Sequence, residues 1–191
     1  YTPVPDANGS AVITVTVFDN SGTAYSGVET TTTTFTVNVT AVNDPVTNPI
    51  DIDDYTVLED AGVSSVADLD DIFSDIDLDN GDPSALQTLS YSVVSNTNPG
   101  LATPSIDAIT GALTVEYTAD DNGSATITVR AEDNDALNAT TTLDESFTIT
   151  VTAVNDPVTL TSPISDYTVL EDAVATIIDL DDIFDDIDIL N

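Results

Sequence analysis

The string AVNDPVT at Ala41 to Thr47 returns at Ala153 to Thr159, about 112 residues later, and its surroundings return with it. FTVNVTAVNDPVT, beginning at Phe35, is answered by FTITVTAVNDPVT at Phe147. DYTVLEDA occurs at Asp54 and Asp166, and DLDDIFSDIDL at Asp68 is matched by DLDDIFDDIDI at Asp179. A period of this length is that of a whole domain rather than of a short solenoid unit, so the chain reads as a tandem array. Residues 1–42 match only the second half of a unit, NGSAVITVTVFDN against NGSATITVRAEDN, and residues 155–191 match only the first half. One complete copy, 43–154, is therefore expected between two partial ones. The stretch that both partial copies lack corresponds to Gly81 to Glu116, so neither is expected to close a core alone. With both ends inside a repeat and no initiator Met, the chain reads as an excerpt of a longer protein.

Charge narrows the partners. Thirty-five acidic side chains face a single basic one, Arg130, for a net charge of −34. Nucleic acid and anionic lipid are both recognised through clusters of Lys and Arg, which this chain does not have, so nucleic-acid binding and direct membrane contact are excluded. Such charge with low hydrophobicity would indicate disorder, but 41% of the residues are hydrophobic, and they alternate with polar ones. Cys is absent, which removes both a disulfide framework and thiol chemistry. Divalent metal is then the obvious staple. An acidic, Thr-rich chain without Cys, Met or Trp suits a saline, extracellular or cell-surface milieu, where salt screens self-repulsion.

Period-two alternation predicts strands at 55–58, 63–69, 89–94, 103–107, 112–118, 124–131 and 146–154. In the sixth, Ala125, Ile127, Val129 and Ala131 alternate with Thr126, Thr128 and Arg130. Turn residues fall between the strands, at Asn80-Gly81-Asp82-Pro83, Asn98-Pro99-Gly100, Thr110-Gly111 and Asp121-Asn122-Gly123. Seven strands with at most one helical turn, around Asp71 to Phe73, give an all-β protein: tandem seven-stranded Greek-key β-sandwiches. Pro45, Pro49, Pro157 and Pro163 stiffen the junctions, which contain no Gly/Ser tether.

Acids gather in loops that a sandwich brings to its ends: Asp75-Ile76-Asp77-Leu78-Asp79, Asp120-Asp121-Asn122 and Glu132-Asp133-Asn134-Asp135. Glu59-Asp60, Asn43-Asp44 and Asn155-Asp156 add to them. Ca²⁺, with six to eight oxygen ligands and flexible geometry, suits ligands drawn from scattered loops. For any single Asp, turn chemistry in water is the commoner reason for its presence, and Asp68, Asp70, Asp71, Asp82, Asp107 and Asp144 are assigned to it. The others repeat: Asp75 and Asp77 as Asp186 and Asp188, Glu59 as Glu171, and Asp133 as Asp19. An EF-hand is rejected, because after Asp75-x-Asp77-x-Asp79 the Gly falls one place late and Leu86 stands where a bidentate Glu is required.

The order Tyr55-x-Val-x-Glu59, Asp75-x-Asp77, Leu89-Ser-Tyr91-Ser-Val93, Ile106-Asp-x-x-Thr-Gly111-x-Leu113, Ala131-x-Asp133 and Val151-x-x-Val-Asn155-Asp156 resembles a cadherin repeat. AVNDP and DLDDIFSDIDLD resemble more narrowly the cadherin-like tandem repeats of large bacterial surface and adhesion proteins. The resemblance covers the complete copy and both partial ones. It implies Ca²⁺ between successive domains. The first junction would use Asp6, Asn43, Asp44, Asp75, Asp77 and Asp133, and the second Glu59, Asp121 (or Asp120), Asn155, Asp156, Asp186 and Asp188. The first linker acid of cadherins is Ala41 or Ala153 here, and the Asp-x-Glu loop is replaced by Asp120-Asp121-Asn122-Gly123, so fewer ions per junction are implied.

With no His, Cys or Lys and no Ser in a nucleophile elbow, catalysis gains no support. The expected function is that of a structural segment of a long extracellular adhesin or surface fibre, stiffened by calcium and partnered by its neighbouring repeats, with lateral or end-to-end self-association also open. The alternative is a calcium-dependent carbohydrate- or protein-binding sandwich. Trp is absent, and Tyr91, Tyr117, Phe147 and Phe35 are expected to face inward. That leaves Tyr25 and Tyr55 as candidates for an exposed sugar platform.

Overall fold

The alternating Ala125, Ile127, Val129 and Ala131 become the inner face of a long strand, and each is fully buried. The computed structural model describes residues 1–20, 30–79, 87–134 and 140–190. Before the complete copy come β1 (Gly9–Phe18) and β2 (Thr30–Val39). Within it follow β3 (Tyr55–Leu58), β4 (Val63–Asp68), a single helical turn α1 (Leu69–Ile72), β5 (Leu89–Asn96), β6 (Ala102–Ile106), β7 (Ala112–Tyr117), β8 (Gly123–Asp133) and β9 (Thr142–Thr152). Two short strands, β10 (Thr159–Leu160) and β11 (Phe184–Asp185), lie beyond it.

The strands of the complete copy form a four-stranded sheet, β3-β9-β8-β5, and a three-stranded sheet, β4-β7-β6. Phe147, Ile127, Ile149 and Val129 from the first meet Leu113 and Val115 from the second, with Leu69 of α1 closing one side. Each such side chain contributes about 1.5–3 kcal/mol through burial. This is the β-sandwich expected from the alternation, with strand ends shifted by a few residues. The helical turn begins at Leu69, where the Asp68 carboxylate accepts a hydrogen bond from the Asp70 N–H and caps it.

Arg130 and Asp144 are directly opposite on the outer face of β8 and β9. Their bonds are 2.6 Å and 2.8 Å long, in a bidentate fork. The only cation of the chain is thus spent across strands, which assigns Asp144 a partner rather than a turn. Asp107 does serve a turn, accepting from the Ile109 and Thr110 N–H groups at 2.8 Å and 3.1 Å.

Pairing direction positions the junctions. β3 runs parallel to β9, so the first and last strands of the copy end side by side, with Leu58 opposite Thr152. β8 is antiparallel to β9 and opens at that same end, with Gly123 opposite Val151. Its other end, at Asp133, lies some 34 Å away, given 11 residues at about 3.4 Å each.

The flanking segments repeat these geometries incompletely. β1 pairs with β2 so that Ile13 faces Phe35, as Ile127 faces Phe147. Phe35 is 52% exposed where Phe147 is 1%, because no second sheet covers the hairpin among the described residues. The expectation of an inward Phe35 holds for its strand position but not for its burial. β10 pairs with β11, matching the bridge between Thr47 and Ser74. No described helix is long and apolar enough to cross a membrane.

Candidate metal centres at the repeat junctions

At the entry end of the sandwich the linker backbone is tied to the acidic loop after α1. The Asp44 N–H donates to Asp77 Oδ2 at 2.6 Å, and the Asp77 N–H donates to Asp75 Oδ1 at 2.9 Å. Asn43 Nδ2 donates to Asp133 Oδ2 at 3.0 Å, and Gln87 Nε2 to Asn43 Oδ1 at 2.7 Å. Asp133, fully buried at the end of β8, also accepts from Thr141 N and Oγ1 at 3.0 Å and 2.6 Å. Asp6, in the left-handed region at φ 55°, lines one cleft with Asp44 and Asp77 and another with Asp44 and Asp75.

Asp75 carries the electrostatic cost of this gathering. It is 4% exposed, and its Oδ2 is buried with no hydrogen-bond partner. Burial pushes its carboxyl above the ordinary range; the bond from the Asp77 N–H opposes this, and the charges of Asp77, Asp133 and Asp44 add to the rise.

The exit end repeats the arrangement with the next copy. The Asp156 N–H donates to Asp188 Oδ2 at 2.6 Å and the Asp188 N–H to Asp186 Oδ1 at 3.0 Å, as Asp44, Asp77 and Asp75 do at the entry end. Because β3 lies beside β9, Glu59 meets the outgoing chain: its N–H donates to the Thr152 carbonyl at 3.0 Å, and its Oε1 accepts from the Val154 N–H at 2.6 Å. Glu59 is 3% exposed, and its Oε2 is buried with no hydrogen-bond partner. Asn155 Nδ2 donates to the Asp156 carbonyl at 2.9 Å.

Two groups of carboxylates share Asp156 here: Glu59, Asp156 and Asp188, and Asp60, Asp120 and Asp156. In each, one oxygen per residue lies within 4.8 Å of the others. Asp156 Oδ2 is likewise buried without a hydrogen-bond partner. Desolvation raises its pKa first, then the charges of Asp120, Asp60, Asp188 and Glu59.

Of the two acids in the Asp120-Asp121 turn, the structure brings Asp120 into the cluster. Asp121 is exposed and belongs to neither group. Asp120 adopts φ 58° in the tight turn ahead of Gly123, as Asp6 does ahead of Gly9. Asp60 is the member that position-by-position comparison left out. Its signal was present in the sequence, where Glu59-Asp60 returns as Glu171-Asp172, and both Asp60 and Asp172 have φ 65°.

Tyr55 is not the exposed platform expected of it. Its ring stacks on Phe147 with centroids 6.2 Å apart, and its hydroxyl bonds that of Tyr117 at 2.8 Å. Tyr91 similarly packs on Phe73 and donates to Asp70 Oδ1 at 2.7 Å. Tyr25, Asp135 and the expected turn at Asn80 to Pro83 lie outside the described residues.

The donor set is all oxygen, drawn from loops of two consecutive copies, with buried carboxylate oxygens left over. Hard divalent cations take such donors, and Ca²⁺ takes six to eight of them at roughly 2.3–2.6 Å. The residues present therefore fit the ion.

The fold is that of cadherin repeats. Among solved structures the chain is similar to protocadherin gammaB7 EC3-6 in its cis-dimer structure, at 18% identity and TM-score 0.53, over 82% of this chain and 37% of that one. Mouse cadherin-23 EC22-24 is similar at 19% identity and TM-score 0.52, over 76% and 43%. The extracellular cadherin domains 1-4 of protocadherin gamma B7 are similar at 23% identity and TM-score 0.51, over 83% and 36%. The chain thus spans less than half the length of each of these neighbours. No family model matches the sequence, and no curated protein sequence matches it.

Proposed function

We propose that the chain is a segment of a tandem array of cadherin-like repeats, with units at 1–42, 43–154 and 155–191, whose junctions bind Ca²⁺. The array would extend and stiffen a long extracellular adhesin or surface fibre. The observation that carries this reading is the buried, unpartnered oxygens of Glu59, Asp75 and Asp156, each set among further carboxylates where one copy meets the next. An ion at such a place would be held by both copies at once, so binding and stiffening would be the same event. Glu59 and Asp120 would come from one copy, Asp156 from the linker, and Asp186 and Asp188 from the next.

At free Ca²⁺ a hundredfold above its dissociation constant, one site adds about 2.7 kcal/mol, a large share of the stability of an ordinary domain. With β8 spanning ~34 Å plus end loops, each repeat would add about 40–45 Å to a rod. The test is a protein carrying several copies, melted and measured by small-angle scattering with Ca²⁺ and with chelator. A higher melting temperature and an extended, stiffer particle in Ca²⁺ are expected. Superimposable melts, or a compact globule in both buffers, would overturn the proposal.

A further inference from the structure

Five carboxylates meet at the exit junction as two groups of three that share Asp156, rather than as one group of five: Glu59, Asp156 and Asp188, and Asp60, Asp120 and Asp156. Two oxygens bound to one Ca²⁺ at roughly 2.3–2.6 Å stand at most about 5.2 Å apart. The 4.8 Å within which each group gathers therefore fits a single coordination shell. The first group spans the junction, since Asp188 belongs to the next copy. The second lies within the complete copy and its outgoing linker.

The backbone carries Asp60 and Asp120 to Asp156. β3 ends beside β9, with Leu58 opposite Thr152. The turn after β3 is closed by the Ala61 N–H, which donates to the Leu58 carbonyl at 3.3 Å. The turn ahead of β8 arrives at the same end, and there the Asp120 N–H donates to Asp60 Oδ1 at 3.4 Å. Among the described residues four non-glycine residues have positive φ, all of them Asp and in two matched pairs: Asp60 with Asp172 at 65°, and Asp120 with Asp6 at 58° and 55°. Glycine serves such turns at no steric cost, whereas Asp adds a carboxylate to a chain whose net charge is already −34. The backbone alone does not call for a charge at Asp60.

The unpartnered oxygens do. Asp156 Oδ2 and Glu59 Oε2 are buried without hydrogen-bond partners, and Glu59 is 3% exposed. Arg130 is bonded to Asp144, and the chain has no other basic side chain to balance the cluster. One divalent ion would leave the five carboxylates with a net charge of −3, and two would leave −1. We infer that Asp60 is a metal ligand, and that with Asp120 and Asp156 it forms a second divalent-cation seat beside the one that Glu59 and Asp188 form with the same Asp156.

This rests on the calcium reading of the junction and adds a division of labour to it. The Asp60 seat is built by one repeat and its linker, so an ion there fixes the direction in which the chain leaves the sandwich. The Glu59 seat includes Asp188, so an ion there ties the next copy to that direction. Because Asp156 serves both, filling either seat holds a ligand in place for the other, and the coupling is reciprocal.

Counting the Ca²⁺ bound by the 191-residue protein in equilibrium dialysis, at the lowest free concentration that saturates it, tests this. Asn tolerates the left-handed turn and removes only the charge. Asp60→Asn and Asp188→Asn should each bind one ion fewer than the wild type, and the double variant two fewer. Asp156→Asn should lose two by itself. Asp121→Asn, at an exposed acid of neither group, should lose none. In chelator Asp60→Asn should melt no lower than the wild type, and in Ca²⁺ it should melt below it. Asp60→Asn binding as many ions as the wild type, a double variant losing no more than either single one, loss of only one ion from Asp156→Asn, or loss of an ion from Asp121→Asn would overturn the inference. So would an equal drop in melting temperature in both buffers, which would give Asp60 a part in the turn alone. A wild type that binds no Ca²⁺ would instead overturn the calcium reading of the junction, and this inference with it.

Discussion

Replacing Glu59 by Gln should change the sign of its effect with calcium. Glu59 is 3% exposed, its Oε1 accepts from the Val154 N–H, and its Oε2 has no hydrogen-bond partner while lying among the carboxylates of Asp156 and Asp188. Gln keeps the shape and the acceptor toward Val154, removes one negative charge, and offers an amide N–H to the neighbouring carboxylates. A buried polar group left unsatisfied costs on the order of 1–3 kcal/mol, so in chelator the variant should gain about that much. At about 4 °C per kcal/mol for a domain of this size, its melting temperature should rise by roughly 4–12 °C. In Ca²⁺ at a hundredfold excess over the dissociation constant, loss of a ligand removes up to about 2.7 kcal/mol of linkage, and the variant should melt below the wild type. Calorimetry in the two buffers decides. A variant that is destabilised equally with and without Ca²⁺ would mean that Glu59 acts only through the Val154 contact, and the metal argument at this junction would fail.

Three further outcomes are expected. Asp75 and Asp156 have pKa values raised in the fold, so between those values and the unfolded ~3.9 the folded state binds more protons. In chelator, stability should therefore rise as pH falls from neutrality through that window. It should then drop below about pH 4, where Asp107 and Asp144, whose pKa values are lowered, lose their contributions; urea midpoints across pH would show a monotonic fall instead if this is wrong. Asp44→Ala and Asp75→Ala should each weaken calcium binding and be non-additive together, as expected of residues sharing one site. Asp107→Ala should leave affinity unchanged; titration calorimetry finding additive losses would separate Asp44 from Asp75. Leu113→Ala, at a fully buried position between the sheets, should cost about 2–5 kcal/mol in denaturant unfolding; a cost below 1 kcal/mol would contradict the packing described.

Much of the protein was legible in one dimension, because its signals are local. The alternation in Ala125 to Ala131 specifies a strand with one buried face whatever surrounds it, since side-chain direction has a period of two along any strand. The repeat of AVNDPVT and DYTVLEDA set the expected bounds of the copies, and the recurrence of Asp75-x-Asp77 as Asp186-x-Asp188 marked acids worth separating from turn residues. What sequence could not assign were choices between neighbours. Asp120 and Asp121 are adjacent acids of equal chemistry, and only the left-handed backbone at Asp120 and the packing of that turn beside Asp60 and Asp156 decide between them. Tyr55 sits on a short first strand that period alone left exposed, yet the parallel pairing of β3 with β9 lays its ring on Phe147. That pairing joins residues more than ninety positions apart, and it also carries Glu59 to Val154 and so builds the exit junction. Strand propensity and spacing record which residues can form a sheet edge. Which edges meet depends on the backbone hydrogen bonds and buried area gained when distant segments close on one another, and that sum exists only in the folded chain.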